Sequence, residues 1–130
     1  MYRDLKVLVV DDNKMDRTVA RAILNKLGIG DVTEAESSLV AQGKLHTAEQ
    51  LGQSFELILL DWNMPRASGL HVLKTVRSDP AYRKCKVIIM TATSEEQIVK
   101  EAIQNGVDEF VVKPLILKVL AEKIEKVLAK

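Results

Sequence analysis

The sequence predicts an α/β fold, a doubly wound parallel sheet of five strands with five helices, and three observations carry that expectation. Strand and helix signals alternate along all 130 residues, the pattern of repeated βα units. Val7-Leu8-Val9-Val10 and Leu57-Ile58-Leu59-Leu60 are short and uniformly aliphatic, as suits strands covered on both faces. Each run then stops on acid, Asp11-Asp12 after the first and Asp61 after the second. If both strands lie in one parallel sheet, these carboxylates gather at its carboxyl edge, where open α/β sheets hold their ligands.

Taken in order, Lys6–Asp11 is the first strand. Lys14–Leu27 follows as a helix, with Val19, Ile23 and Leu27 at four-residue spacing and Gly28 and Gly30 at its end. Val32–Ala35 mixes apolar and polar residues, as an edge strand does. Leu39–Leu51 is a weaker helix interrupted by Gly43, and Phe55–Leu60 is the third strand. Asn63-Met64-Pro65 reads as a turn, before a helix near Leu70–Arg77 with Leu70, Leu73 and Val76 on one side. Lys86–Met90 is the fourth strand. Thr93-Ser94-Glu95-Glu96 reads as a helix start with acids in its first turn, and Asn105-Gly106 as the end of that helix. Phe110–Val112 is the fifth strand, and Pro114 opens a last helix carrying Leu117, Leu120, Ile124 and Val127. Right-handed crossovers then put helices on both faces of the sheet.

A chain of this length is expected to form one domain and to bury a core without disulfides. Its hydrophobic content of 47% and charged content of 28% are those of an ordinary soluble protein. The net charge of +1 gives no reason to expect nucleic-acid or membrane partners. Cys85 is the only cysteine, which excludes an internal disulfide and fits a reducing compartment. With no signal-peptide core at Met1–Lys6 and no apolar run of about 20 residues, the expected location is the cytoplasm.

Every chemically loaded residue falls at the carboxyl end of an expected strand: Asp11 and Asp12, Asp61, Thr91 and Lys113. Neighbouring strands lie about 4.8 Å apart, so these tips can share one small pocket. Three carboxylates there repel one another unless a cation joins them. Mg²⁺ favours one or two carboxylates together with water and phosphate oxygens. The three acids, Mg²⁺ and Lys113 sum to zero charge. Thr91 adds a hydroxyl donor, and the small Ala92 leaves its backbone N–H open to an anion. Singly, Asp12 and Asn13 would read as a helix cap, Thr91 as a loop hydroxyl and Lys113 as a solvated charge. Their common position at strand ends points instead to a metal and a phosphoryl group.

The chain resembles the receiver domain of two-component response regulators. The resemblance rests on Val9-Val10-Asp11-Asp12-Asn13, on Asp61-Trp62-Asn63-Met64-Pro65 with Gly69, on Thr91-Ala92 and on Val111-Val112-Lys113-Pro114. It implies a flavodoxin-like sheet; the strand order 2-1-3-4-5 is the family's own and comes with the resemblance. It also implies that Asp61 is the nucleophile that takes a phosphoryl group from a histidine kinase. Asp12 would ligate Mg²⁺ directly, Asp11 mainly through water, with Asp61 and the Asn63 carbonyl completing the set. Lys113 and Thr91 would each bind a phosphoryl oxygen, with Ala92 beside them. Thr91 and Phe110 would act as the switch.

Several positions depart from the family pattern. Phe110 stands where tyrosine is frequent, Leu115 where phenylalanine is, Ser68 where many relatives carry an acid, and Ser37-Ser38 where Asp-Gly is common. Trp62 matches relatives that work in chemotaxis; it reads as surface packing, with partner contact as the functional alternative. His46, His71 and Cys85 read as ordinary surface or strand residues.

The expectation is a stand-alone receiver over residues 1–130 with no output domain and no enzymatic activity beyond handling its own phosphoryl group. Its partners would be a histidine kinase and a downstream protein, met on a face running from about Glu95 to Lys123. Alternatives are a phosphorelay intermediate that passes the group to a histidine phosphotransfer protein, and a degenerate receiver that binds partners unphosphorylated. A haloacid-dehalogenase type of phosphatase is excluded, because it needs an aspartate two residues after the nucleophile and this chain has Asn63 there.

Overall fold

A computed structural model describes residues 2–64, 69–92 and 96–129. The strands are β1 (Lys6–Val10), β2 (Asp31–Ala35), β3 (Leu57–Asp61), β4 (Lys86–Thr91) and β5 (Glu109–Val112). They alternate with α1 (Lys14–Lys26), α2 (Ser38–Gln50), α3 (Gly69–Ser78), α4 (Glu96–Gln104) and α5 (Leu117–Leu128). All pair in parallel in one sheet of order β2-β1-β3-β4-β5, the order the resemblance implied.

Period-two alternation sorts each central strand between two cores. Leu8, Val10, Ile58, Leu60, Val87 and Ile89 face α2 and α3, where Ala41, Leu45, Val72, Leu73 and Val76 meet them. Val7, Val9, Leu57, Leu59, Ile88 and Met90 face α1 and α5, against Ala20, Ile23, Leu24, Leu120, Ile124 and Val127. The chain steps one way from β1 to β2 and the other way from β3 onward. That reversal opens a crevice between the carboxyl ends of β1 and β3.

Element by element, the sequence expectations need five corrections. α2 runs unbroken through Gly43, which is exposed and has no neighbour a Cβ would meet. Phe55 is buried but precedes the strand, which begins at Leu57. Val19 and Leu117 are partly exposed; α1 buries Ala20, Ile23 and Leu24 instead. A single 3₁₀ turn at Pro80–Tyr82, absent from the sequence expectation, is tied to α2 where the Tyr82 hydroxyl donates to the Leu45 carbonyl at 2.7 Å. Finally, Pro114 does not open the last helix. The Lys113 N–H still donates to the Thr91 carbonyl at 2.7 Å, so the chain is sheet-like to that point. It turns through Pro114 and Leu115, with a cis Lys113–Pro114 bond, before Ile116 caps α5 in extended conformation. The expected turn at Pro65, the Ser68 departure and the helix start at Thr93–Glu95 lie outside the described residues.

Candidate functional site: an acidic pocket at the carboxyl edge

β1 and β3 deliver the acids. Asp11 follows β1, with its N–H donating to the Ala35 carbonyl at 3.0 Å, and it is fully buried. Asp61 is the last residue of β3, in register with Met90, and is 4% exposed. Asp12 is exposed at the rim. One oxygen from each of the three lies within 4.8 Å of the others. Two of the acids direct the following turns, since Asp11 Oδ1 accepts the Asn13 N–H at 2.9 Å and Asp61 Oδ1 accepts the Asn63 N–H at 3.3 Å.

Lys113 enters from the end of β5. Its Nζ donates to Asp11 Oδ2 at 2.8 Å and to Asp16 Oδ2 at 3.0 Å, and stands 3.6 Å from Asp61 Oδ1. Burial works against its charge, but the bonds to Asp11 and Asp16 and the field of Asp61 outweigh it and hold the ammonium pKa above its usual value. Asp61 is raised as well, which for a carboxylate disfavours the charged form. Burial, followed by repulsion from Asp11, lifts it from 3.8 to about 7 despite Lys113. Thr91 is fully buried at the tip of β4, in register with Val112, and Ala92 is exposed just beyond it.

The pocket therefore gathers the expected Asp11, Asp12, Asp61 and Lys113, with Thr91 on the neighbouring strand tip, and adds one acid that sequence reasoning passed over. Asp16 lies in the first turn of α1, where acids are common for the helix dipole alone, so nothing in the sequence singled it out. With it the resting charge is more negative than the neutral sum expected. The donors are all oxygens, crowded and under-compensated, and that set suits a hard divalent cation.

Two neighbours shape the pocket without entering it. A Cβ on Gly69 would stand 2.5 Å from the Asp61 carbonyl oxygen and 2.9 Å from Trp62 Cα, so only glycine lets α3 start against this backbone. Trp62 is 4% exposed and packs in the α2–α3 core, which corrects its reading as surface packing and leaves little of the ring for partner contact. His46 and His71 are exposed, as expected. Cys85 is buried, and that burial pushes its thiol up to about 12.

Fold and pocket together define a flavodoxin-like α/β domain with an acidic, cation-suited site at its switch point. Residues 7–125 match the response regulator receiver domain, and the chain belongs to that family, the receivers of two-component signal transduction. It is 36% identical to the chemotaxis protein CheY of Pseudomonas aeruginosa, covering 95% of each chain. It is 37% identical to the chemotaxis protein CheY1 of Helicobacter pylori, covering 95% of this chain and 97% of that one. Among solved structures, CheY4 of Vibrio cholerae superposes with a TM-score of 0.85 at 27% identity, over 95% of this chain and 98% of that one. The receiver domain of the sensor histidine kinase PA1611 from Pseudomonas aeruginosa gives 0.82 at 25% identity, over 97% and 98%, and holds a magnesium ion in its active-site cleft.

Proposed function

We propose that Asp61 accepts a phosphoryl group from the phosphohistidine of a histidine kinase. The observation that carries this reading is the state of Asp61: buried at a sheet switch point, raised to about 7, and 3.6 Å from a lysine. A carboxylate oxygen of Asp61 attacks phosphorus, the P–N bond breaks, and the imidazole nitrogen keeps the electron pair. The product is an acyl phosphate on Asp61. Lys113 then pairs with one phosphoryl oxygen and Thr91 donates its hydroxyl to another, while the exposed Ala92 leaves room at its backbone N–H.

Asp11, Asp12, Asp61 and the Asn63 carbonyl are the groups that would hold Mg²⁺. When bound, that ion supplies positive charge against the carboxylates and the phosphoryl oxygens. The same charge favours ionised Asp61, the form that can attack.

The proposed output is a change on the face made by α4, β5 and α5. Phe110 is half-buried on β5 between two apolar cavities, each about 290 Å³. One is bounded by Ile116, Val119 and Lys123, the other by Val99, Ile103 and Val107. Glu109 accepts from Lys123 at 3.1 Å and from Lys126 at 3.0 Å, and Lys123 Nζ lies 5.5 Å from the centre of the Phe110 ring. A threonine drawn toward the phosphoryl group makes space into which this ring can turn, and the helices beside it move with it. A phosphoryl group adds roughly −2 charge and three acceptor oxygens, enough to bias such a two-state element.

No helix among the described residues is long and apolar enough to cross a membrane. We place the protein in the cytoplasm, acting as a single receiver with a protein target; similarity to chemotaxis proteins along nearly their full length supports that placement. The test is intact-mass measurement with a small phosphodonor and Mg²⁺. One added phosphoryl group on the wild type and none on Asp61→Asn is expected. Full labelling of the variant would remove the assignment.

A further inference from the structure

Lys113 rests hydrogen-bonded to carboxylates other than the proposed phosphoacceptor. An ammonium has three N–H donors, and two are taken by Asp11 and Asp16 while Asp61 stays beyond hydrogen-bond distance. Asp11 is a fixed partner, buried at the strand tip. Asp16 differs: its side chain is 38% exposed, and no step of phosphoryl transfer needs it. Among the described residues its one ion pair is to Lys113. Its reach is nevertheless defined. The Asp16 N–H donates to the Asn13 side chain at 3.0 Å, which pins the first turn of α1. The next residue, Arg17, donates to the Asp11 carbonyl at 2.8 Å and to Glu34 at 3.1 Å, which ties that turn to β1 and β2.

We propose that Asp16 is a positioning residue that holds the Lys113 ammonium on the α1 side of the pocket in the unphosphorylated protein. The Asp16 carboxylate competes with a phosphoryl oxygen on Asp61 for this ammonium, so Asp16 lowers the pocket's affinity for the phosphoryl group. Breaking a partly exposed pair of this kind corresponds to about 1.4- to fivefold in affinity. The inference rests on Asp61 being the phosphoacceptor.

The test is titration of beryllofluoride, a phosphoryl mimic, in saturating Mg²⁺, read by fluorescence of Trp62, the sole tryptophan, which follows Asp61 directly. Asp16→Asn should bind more tightly than wild type, by up to about fivefold. Asp16→Glu should restore near wild-type affinity. The control for charge alone is Glu36→Gln, an exposed residue just past β2 that removes the same charge without touching Lys113. Its affinity should not change. A structural role for Asp16 would instead weaken binding in Asp16→Asn, and that result, or no change, overturns the inference. Equal gains in Asp16→Asn and Glu36→Gln also overturn it, because the effect would then be the general field. A wild type without response, or a response that survives Asp61→Asn, removes the phosphoacceptor reading itself and the inference with it.

Discussion

Replacing Asp61 by asparagine keeps the shape of the side chain and deletes a carboxylate that the fold holds under protest. Its pKa rises from 3.8 to about 7, chiefly through burial and then through Asp11. For an acid, a raised folded value means that the native state binds the proton more tightly than the unfolded chain does. Native stability therefore falls as pH climbs from about 4 to about 7, then levels off. At 1.36 kcal/mol per pH unit the cost is about 2 kcal/mol near pH 5 and about 4 kcal/mol near pH 8. Asp61→Asn removes this cost, so in chelator it should gain stability over wild type, and the gap should widen by about 2 kcal/mol between those two pH values. Urea unfolding of both proteins at each pH measures it. Saturating Mg²⁺ should shrink the gap at pH 8, since a cation relieves the same repulsion. A gap independent of pH, or one that narrows as pH rises, would refute the account of the pocket as an under-compensated acid cluster.

Mg²⁺ should raise the unfolding midpoint of the wild type, by about 1.4 kcal/mol at ten times its Kd, and Asp12→Ala should abolish most of that response while staying folded. An equal response in the variant contradicts the ligand role. Gly69→Ala should cost about 1–3 kcal/mol, because its Cβ meets the Asp61 carbonyl at 2.5 Å, and should slow phosphorylation as well; an unchanged urea midpoint would contradict the close approach. Phe110→Tyr should keep phosphorylation and change partner affinity modestly, whereas Phe110→Ala should uncouple affinity from phosphorylation. Backbone chemical shifts on adding beryllofluoride locate the output face: changes confined to residues touching Asp61 would place it away from α4, β5 and α5.

The fold and most of the pocket were legible because their signals are local and strong. Aliphatic runs ending in acid marked β1 and β3, and parallel pairing then had to bring Asp11, Asp12 and Asp61 to one edge. What stayed hidden depended on tertiary contact. Asp16 obeys the helix-dipole rule whether or not a lysine reaches it from β5, so its grip on Lys113 has no sequence signature. Four-residue spacing left the phase of α1 open, and the structure buries Ala20 and Leu24 in place of Val19. Trp62 read as surface packing, yet it is buried in the α2–α3 core, where Gly69 brings the start of α3 against its backbone. Pro114 fits the first turn of a helix in general, but the bond from Lys113 to Thr91 prolongs β5 and delays α5 to Leu117.

Site mapping of the phosphorylated protein tests the central claim most directly. Borohydride reduces an acyl phosphate to an alcohol, which turns the modified aspartate into homoserine, and tandem mass spectrometry then locates it. Homoserine at position 61 and at no other acid of the pocket is the predicted result. Homoserine at Asp11, Asp12 or Asp16, with Asp61 intact, would contradict the account.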